Sequence, residues 1–239
     1  MHQKLISLVK EYQASKETLD FLAKIPLVIV AGISGAGKNT AIKELLKTNR
    51  FCYIVSYTTR EPRINNAIKE VDGREYYFIS EETAINMLQN QDFIEAAITH
   101  NHFYGTAIIQ FREALQKHLL PISDIDVKGA DLYNQARAIN KAFFLLPPSL
   151  EAQIDRINNR YSQSLDKLDF KNRIRTSIKE LEILKNRSYF IPIINNQKDE
   201  TTRTMLNYLD HKKLKLNSDK EYKIVDKLIQ DLRLYYKTL

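Results

Sequence analysis

The chain opens with an amphipathic pattern. Between residues 4 and 23, Leu5, Leu8, Val9, Tyr12, Leu19 and Leu22 recur at roughly helical spacing, which predicts one helix with an apolar face. Ile25-Pro26 ends it, because the residue before a proline is pushed out of the helical region. A short apolar run follows, Val28-Ile29-Val30-Ala31, and then a glycine-rich loop and an amphipathic segment over 41–46. Strand, loop, helix is the order this predicts. Further strands are expected over 53–57, 93–98, 102–106, 119–126, 142–146 and 189–196, the last at a sheet edge because it contains Pro192. Helices are expected over 81–88, 131–138, 170–187 and 201–210, with another starting behind Ser149 as its cap. Beyond residue 211, Val225, Leu228, Leu232 and Tyr235 repeat helically. They predict one more amphipathic helix, packed on the N-terminal one. Strands alternating with helices make an α/β domain.

The loop after the first strand carries chemistry. Gly32, Gly37 and Lys38 satisfy G-x-x-x-x-G-K, with Ser34, Gly35 and Ala36 inside the loop. Glycines let such a backbone turn its N–H groups toward one point. The helix N-terminus behind adds partial positive charge, and the lysine reaches the outer phosphates of a nucleotide. Asn39 stands where serine or threonine would ligate Mg²⁺, and Thr40 follows it. The asparagine amide, Thr40 or a water then serves the metal, or the metal site is weakened.

Other residues invite anionic ligands. Arg60 and Arg63 sit three apart at a strand end, held by Pro62, and each guanidinium can grip phosphate oxygens bidentately. Glu95 lies on an apolar strand, and tyrosines lie nearby in sequence. A core reading explains the aromatics but not the carboxylate. Asp124 and Asp126 end an apolar strand, the place where phosphate-loop enzymes hold Mg²⁺ directly or through water.

Composition adds bounds. The chain has 239 residues, 44% hydrophobic and 27% charged, ordinary values for a globular protein. A net charge of +7 suits an anionic substrate. It would also suit weak nucleic-acid binding, but the basic C-terminal stretch lacks interleaved aromatics of a recognisable kind. Cys52 is the single cysteine, so no internal disulfide forms. No apolar run is long enough for a membrane, and no signal peptide is read at the N-terminus. Cytoplasm is the default location.

Several motifs in order resemble the guanylate kinase family. After the phosphate loop, S-x-T-T-R-x-P-R is matched by Ser56, Thr58, Thr59, Arg60, Pro62 and Arg63. E-V-x-G-x-x-Y-x-F is matched by Glu70, Val71, Gly73, Tyr76 and Phe78. Phe93-Ile94-Glu95, Tyr104-Gly105-Thr106, Asp124-Ile125-Asp126 with Gly129, and Leu146-Pro147-Pro148-Ser149 follow at near-family spacing. The resemblance implies a P-loop NTPase three-layer α/β fold with a parallel sheet, an inserted mixed α/β GMP-binding subdomain and a helical lid. It places the kinase-like domain at 26–210: core 26–58, 107–155 and 188–210, GMP-binding subdomain 59–106, lid 156–187. Residues 1–25 and 211–239 are helical extensions.

The implied reaction is ATP-dependent phosphorylation of GMP to GDP, with dGMP left open as a second acceptor. Arg60, Arg63, Tyr76 and Tyr104 would hold the GMP phosphate. Ser56, Glu95, Thr106 and Asp126 would read or flank guanine. Gly32 to Thr40 and Asn195 would bind ATP, with Mg²⁺ at Asn39 and at Asp124, there through water. Lys38, Arg156, Arg160 and Arg173 would act on the transferring phosphoryl group. Partners are ATP and GMP, without nucleic acid or membrane, in a monomer or homodimer.

The chain departs from the family pattern in four places. These are Asn39, Lys128 in place of glutamine, a lid tip reading Arg160-Tyr161-Ser162-Gln163, and six residues between Arg63 and Glu70. Two rivals therefore stand beside the enzyme: a related domain that binds peptides without catalysis, and a kinase of the same shape acting on another phosphate, such as a ribose bisphosphate.

Overall fold

The computed structural model describes residues 1–65, 68–99, 101–136, 141–161, 166–210 and 218–239. The first half of the chain forms α1 (His2–Glu11), α2 (Lys16–Leu22), β1 (Val28–Gly32), α3 (Lys38–Leu46), β2 (Phe51–Tyr53), β3 (Tyr57–Thr58), β4 (Ile64–Asn65) and β5 (Ile68–Lys69). Next come β6 (Tyr77–Phe78), α4 (Glu81–Gln89), β7 (Phe93–Thr99), β8 (His102–Ala107), α5 (Ile108–Gln116), β9 (Leu120–Asp124) and α6 (Val127–Gln135). The chain continues with β10 (Lys141–Leu146), α7 (Leu150–Tyr161), α8 (Lys167–Leu184), β11 (Phe190–Ile194), α9 (Lys198–Leu209) and α10 (Ser218–Thr238).

Five strands form a parallel sheet in the order β11-β10-β1-β9-β2. Every residue of β1 is buried, because its Val-Ile-Val-Ala-Gly sequence has strands on both sides. The phosphate loop leaves its carboxyl end, where open parallel sheets bind ligands. Pro192 sits in β11, at the expected edge. A second, mixed sheet runs β6-β3-β8-β7, and β4 pairs antiparallel with β5 within the long stretch between Arg63 and Glu70.

Three expectations need correction. The apolar run at 53–57 is not one strand. β2 ends at Tyr53 in the parallel sheet, and β3 starts at Tyr57 in the mixed one. Between them the Gln110 side chain accepts from the Val55 N–H at 2.8 Å and donates to the Val55 carbonyl at 2.6 Å. A side chain thus satisfies the peptide where no strand partner is present. The expected helix over 4–23 is broken between Glu11 and Lys16, where Ser15 caps α2 by accepting from the Thr18 N–H at 3.1 Å. Its halves pack apart: α1 lies on α4 and β7, while Leu22 of α2 enters the main core. Finally, α10 does not pack on α1. It buries Val225, Leu228, Ile229 and Leu232 against a core reached through α8, β11 and α7.

Several element ends also shift. α6 begins at Val127 rather than 131, because Asp126 caps it, and α8 begins at Lys167 rather than 170. Ser149 caps α7 as expected, accepting from the Ala152 N–H at 3.2 Å. Residues 162 and 163, at the expected lid tip, lie outside the described residues.

Candidate active site

The phosphate loop is braced from beneath. Gly37, at φ +87°, begins α3 in the left-handed region. The buried Asn195 amide donates to the Ala36 carbonyl at 2.7 Å and accepts from the Thr201 hydroxyl at 2.9 Å. Asn195 was expected among the ATP-binding residues, and it lines the cleft, but its side chain is engaged by the loop. Gln153 donates to the Ser34 carbonyl at 2.9 Å, and Arg156 to the Asn195 carbonyl at 2.8 Å. The Lys38 ammonium folds back onto the Gly32 carbonyl. Burial pulls its pKa down, opposed by the negative charges of Glu180 and Asp124. Burial pushes Glu180 up to about 7, against the pull of Lys38, with Asp126 adding to the rise.

Above the loop lies a cleft of about 1370 Å³. Ser34, Gly35, Gly37, Lys38, Asn39 and Thr40 line it from the loop. Helix α7 adds Arg156 and Arg160, α8 adds Arg173 and Glu180, and Arg63 and Tyr104 face it from the side of the mixed sheet. Arg156, Arg160 and Arg173 thus line the same cleft as the loop lysine, and the charge of Arg160 is felt at Lys38.

Arg60 sits just behind. It is 6% exposed, and its guanidinium lies over Tyr76 at 5.3 Å and Phe78 at 5.7 Å. It pairs with Glu70 at 2.9 Å and donates to the Glu61 carbonyl at 2.7 Å. Burial works against its charge, and Glu70 and Tyr104 more than offset that. The Tyr76 and Tyr104 rings meet edge to face at 5.8 Å. Glu95 accepts from the Thr106 hydroxyl at 2.9 Å. Burial raises its pKa, Thr106 lowers it, and Asp126 raises it again. Asp126 accepts from the Gly129 N–H at 2.7 Å, so its helix-capping role is established by geometry. Ser56 stands between the two sheets, its carbonyl accepting from the Tyr77 N–H.

A family model described as guanylate kinase matches residues 24–212. The chain belongs to the guanylate kinase family. It is 34% identical over 181 residues to a guanylate kinase of Prochlorococcus marinus subsp. pastoris, covering 75% of this chain and 94% of that one. It is 37% identical over 172 residues to one from Clostridioides difficile, covering 72% and 81%. Among solved structures, the guanylate kinase of Anaplasma phagocytophilum superposes with a TM-score of 0.58 at 20% identity, over 87% of this chain and 90% of that one. This last likeness speaks for the fold. As a guanylate kinase family member the chain is a nucleoside monophosphate kinase, an ATP:GMP phosphotransferase.

Residues suited to a hard cation lie on and near the glycine-rich loop. Asp124 ends β9 beside β1 and accepts from the Tyr53 hydroxyl, and its charge is felt at Lys38. Asn39 and Thr40 are exposed oxygen donors on the cleft. Among the described residues no three His, Cys, Asp or Glu side chains cluster as a metal cage. Mg²⁺ fits such a donor set, since it uses one or two protein oxygens with substrate phosphates and water.

The sequence reading missed Glu180, Gln153 and Tyr53. Glu180 had a signal: it lies seven residues after Arg173, two turns along the same helix face. The other two had none, because their roles arise from contacts 119 and 71 residues away in the chain. Among the described residues no helix is long and apolar enough to cross a membrane.

Proposed function

We propose that this cleft performs ATP + GMP → ADP + GDP by positioning and charge neutralisation. A GMP phosphate oxygen attacks the γ-phosphorus, the bond to the ADP oxygen breaks, and no covalent enzyme intermediate forms. Loop N–H groups between Gly32 and Thr40 cradle the ATP phosphates. Lys38, Arg156, Arg160 and Arg173 counter the charge on the transferring group. Arg60, Arg63, Tyr76 and Tyr104 hold the GMP phosphate. Ser56, Glu95, Thr106 and Asp126 form the base site, where the carboxylate accepts from guanine N1–H and the exocyclic amine. Adenine lacks that donor pair, so the site rejects it. Asn39 and, through water, Asp124 would hold Mg²⁺, which neutralises charge on the outer phosphates when bound.

The observation that carries this reading is the shared cleft. The phosphate loop, Arg156, Arg160 and Arg173 from two helices, and Arg63 and Tyr104 line one cavity, with Arg60 and Tyr76 directly behind Tyr104. We place the reaction in the cytoplasm, in a monomer or homodimer without a nucleic-acid partner; a lone half-exposed Cys52 suits a reducing compartment.

A coupled ADP-release assay with ATP, Mg²⁺ and each of GMP, AMP, CMP and UMP tests it. GMP alone is expected to turn over. Lys38→Ala is expected to lower kcat by about a hundredfold or more. No turnover with any acceptor, despite calorimetric GMP binding, would replace the enzyme with a catalytically weakened binding domain.

A further inference from the structure

Tyr133 in α6 is wholly buried, its ring stacked on Phe111 with centroids 6.5 Å apart. Its hydroxyl oxygen is also buried and meets no hydrogen-bond partner among the described residues. Buried hydroxyls are normally satisfied, so one left open points to a partner engaged in another state. The hydroxyl lies beside Glu95 and Thr106 without meeting either at hydrogen-bonding geometry. The two sides come from different parts of the fold. Glu95 and Thr106 belong to β7 and β8 of the mixed sheet, whereas α6 packs on β1 of the parallel sheet and on α8. Tyr133 therefore faces the Glu95–Thr106 pair across the seam between the two sheets.

Glu95 needs such a donor. To accept from two guanine N–H groups it must be an anion, yet burial and the nearby Asp126 both favour its protonated form. The groups that face it are Thr106 from β8, Asp126 at the start of α6 and Tyr133 within α6. Helix α1 on the other side of β7 contributes Tyr12, which is occupied by the Phe93 backbone. Burial and Glu95 hold the Tyr133 phenol well above its usual pKa, so it keeps its proton and can only donate to the carboxylate.

We propose that Tyr133 is a positioning residue for base recognition, its hydroxyl donating to the Glu95 carboxylate from the core side when the nucleotide is bound. This rests on the reading of Glu95 as the group that accepts from guanine. With Thr106 and Tyr133 both donating, the carboxylate stays ionised and its remaining lone pairs face the base edge. The adenine edge offers no donor pair to that anion, so the same hydroxyl sharpens the choice of base.

Tyr133→Phe tests this, because it keeps the ring and its stack and removes only the donor. The expected result is a KM for GMP raised about tenfold at neutral pH, the loss typical of a hydrogen bond to a charged group. KM for ATP stays constant, and kcat moves less than KM. The pH below which KM for GMP climbs moves upward, since Glu95 has lost a donor to its anionic form. KM and the position of that limb do not depend on the fraction of protein folded. Tyr133→Met, which also lacks the hydroxyl, gives the same readouts should the phenylalanine variant fold poorly. Glu95→Gln is measured beside them and is expected to lose both the preference for GMP and the pH limb. A Glu95→Gln variant that uses GMP as the parent does would overturn the base-site reading itself. If Glu95→Gln fails as expected while Tyr133→Phe keeps the parental KM and limb, the role of Tyr133 is overturned alone.

Discussion

At the scale of single residues, the loop turns on glycines at positive φ, and Gly37 is the one set against the brace. Gly37 holds φ +87°, and a Cβ there would run into the Asn195 side-chain amide. That amide is the brace that donates to Ala36 and accepts from Thr201. Gly37→Ala therefore suffers twice: an alanine is strained at this angle, and the brace must move. A residue forced into such a region costs about 1–3 kcal/mol. The expected outcome is a destabilisation of that size by urea denaturation together with a raised KM for ATP, and little change in KM for GMP. Equal losses for both nucleotides would show that the loop transmits strain through the whole cleft, and that the brace is not local.

At the scale of elements, the passage from one sheet to the other hangs on Gln110. Its side chain satisfies both backbone polar groups of Val55 inside the protein. Gln110→Leu keeps the volume and leaves a buried N–H and a buried carbonyl without partners, at about 1–3 kcal/mol for each group. A drop in melting temperature with normal kinetics in the surviving enzyme is expected. A melting temperature equal to that of the parent protein would mean that water replaces the side chain. The same segment shows what the sequence could tell. β1, its loop and α3 were legible because a buried apolar run, a glycine cluster and an amphipathic stretch are all local signals. Pro192 was legible as an edge residue for the same reason. Residues 53–57 read as one strand, because alternation along five residues says nothing about which sheet receives them. The break at residues 12–15 had a local cue in Ser15. The cue for the other partner was absent: Tyr12 bonds the N–H and carbonyl of Phe93, far along the chain. Of the site, the loop and arginines were legible as charges and spacing, whereas Glu180 and Tyr133 acquire their meaning only from burial.

At the scale of the whole molecule, the elements the sequence analysis could not place decide how charge is buried. Helix α10 locks α8 through Lys185–Asp226 and Arg233–Glu182, each at 2.6 Å, and through the apolar face that holds Leu228 and Leu232. These salt bridges are exposed and contribute little by themselves, so the apolar face does most of the holding. Glu180, half-buried on α8, faces the cleft near Lys38. Its pKa in the folded protein is pushed up to about 7, from an ordinary 4.5. The sign of the consequence follows from linkage. Below pH 4.5 the carboxyl is protonated in both states and contributes nothing against folding. As pH rises from 4.5 through about 7, the unfolded chain releases this proton first, so stability is lost across that window. Glu180→Gln cannot titrate, and its stability is expected to fall less between pH 5 and pH 8 than that of the parent protein. The slope should flatten without vanishing, because Glu95, also raised by burial, keeps its own contribution of the same sign. Urea denaturation of nucleotide-free protein at constant ionic strength measures both slopes. Identical slopes would show that Glu180 is ionised throughout, held as the partner of a fully charged Lys38.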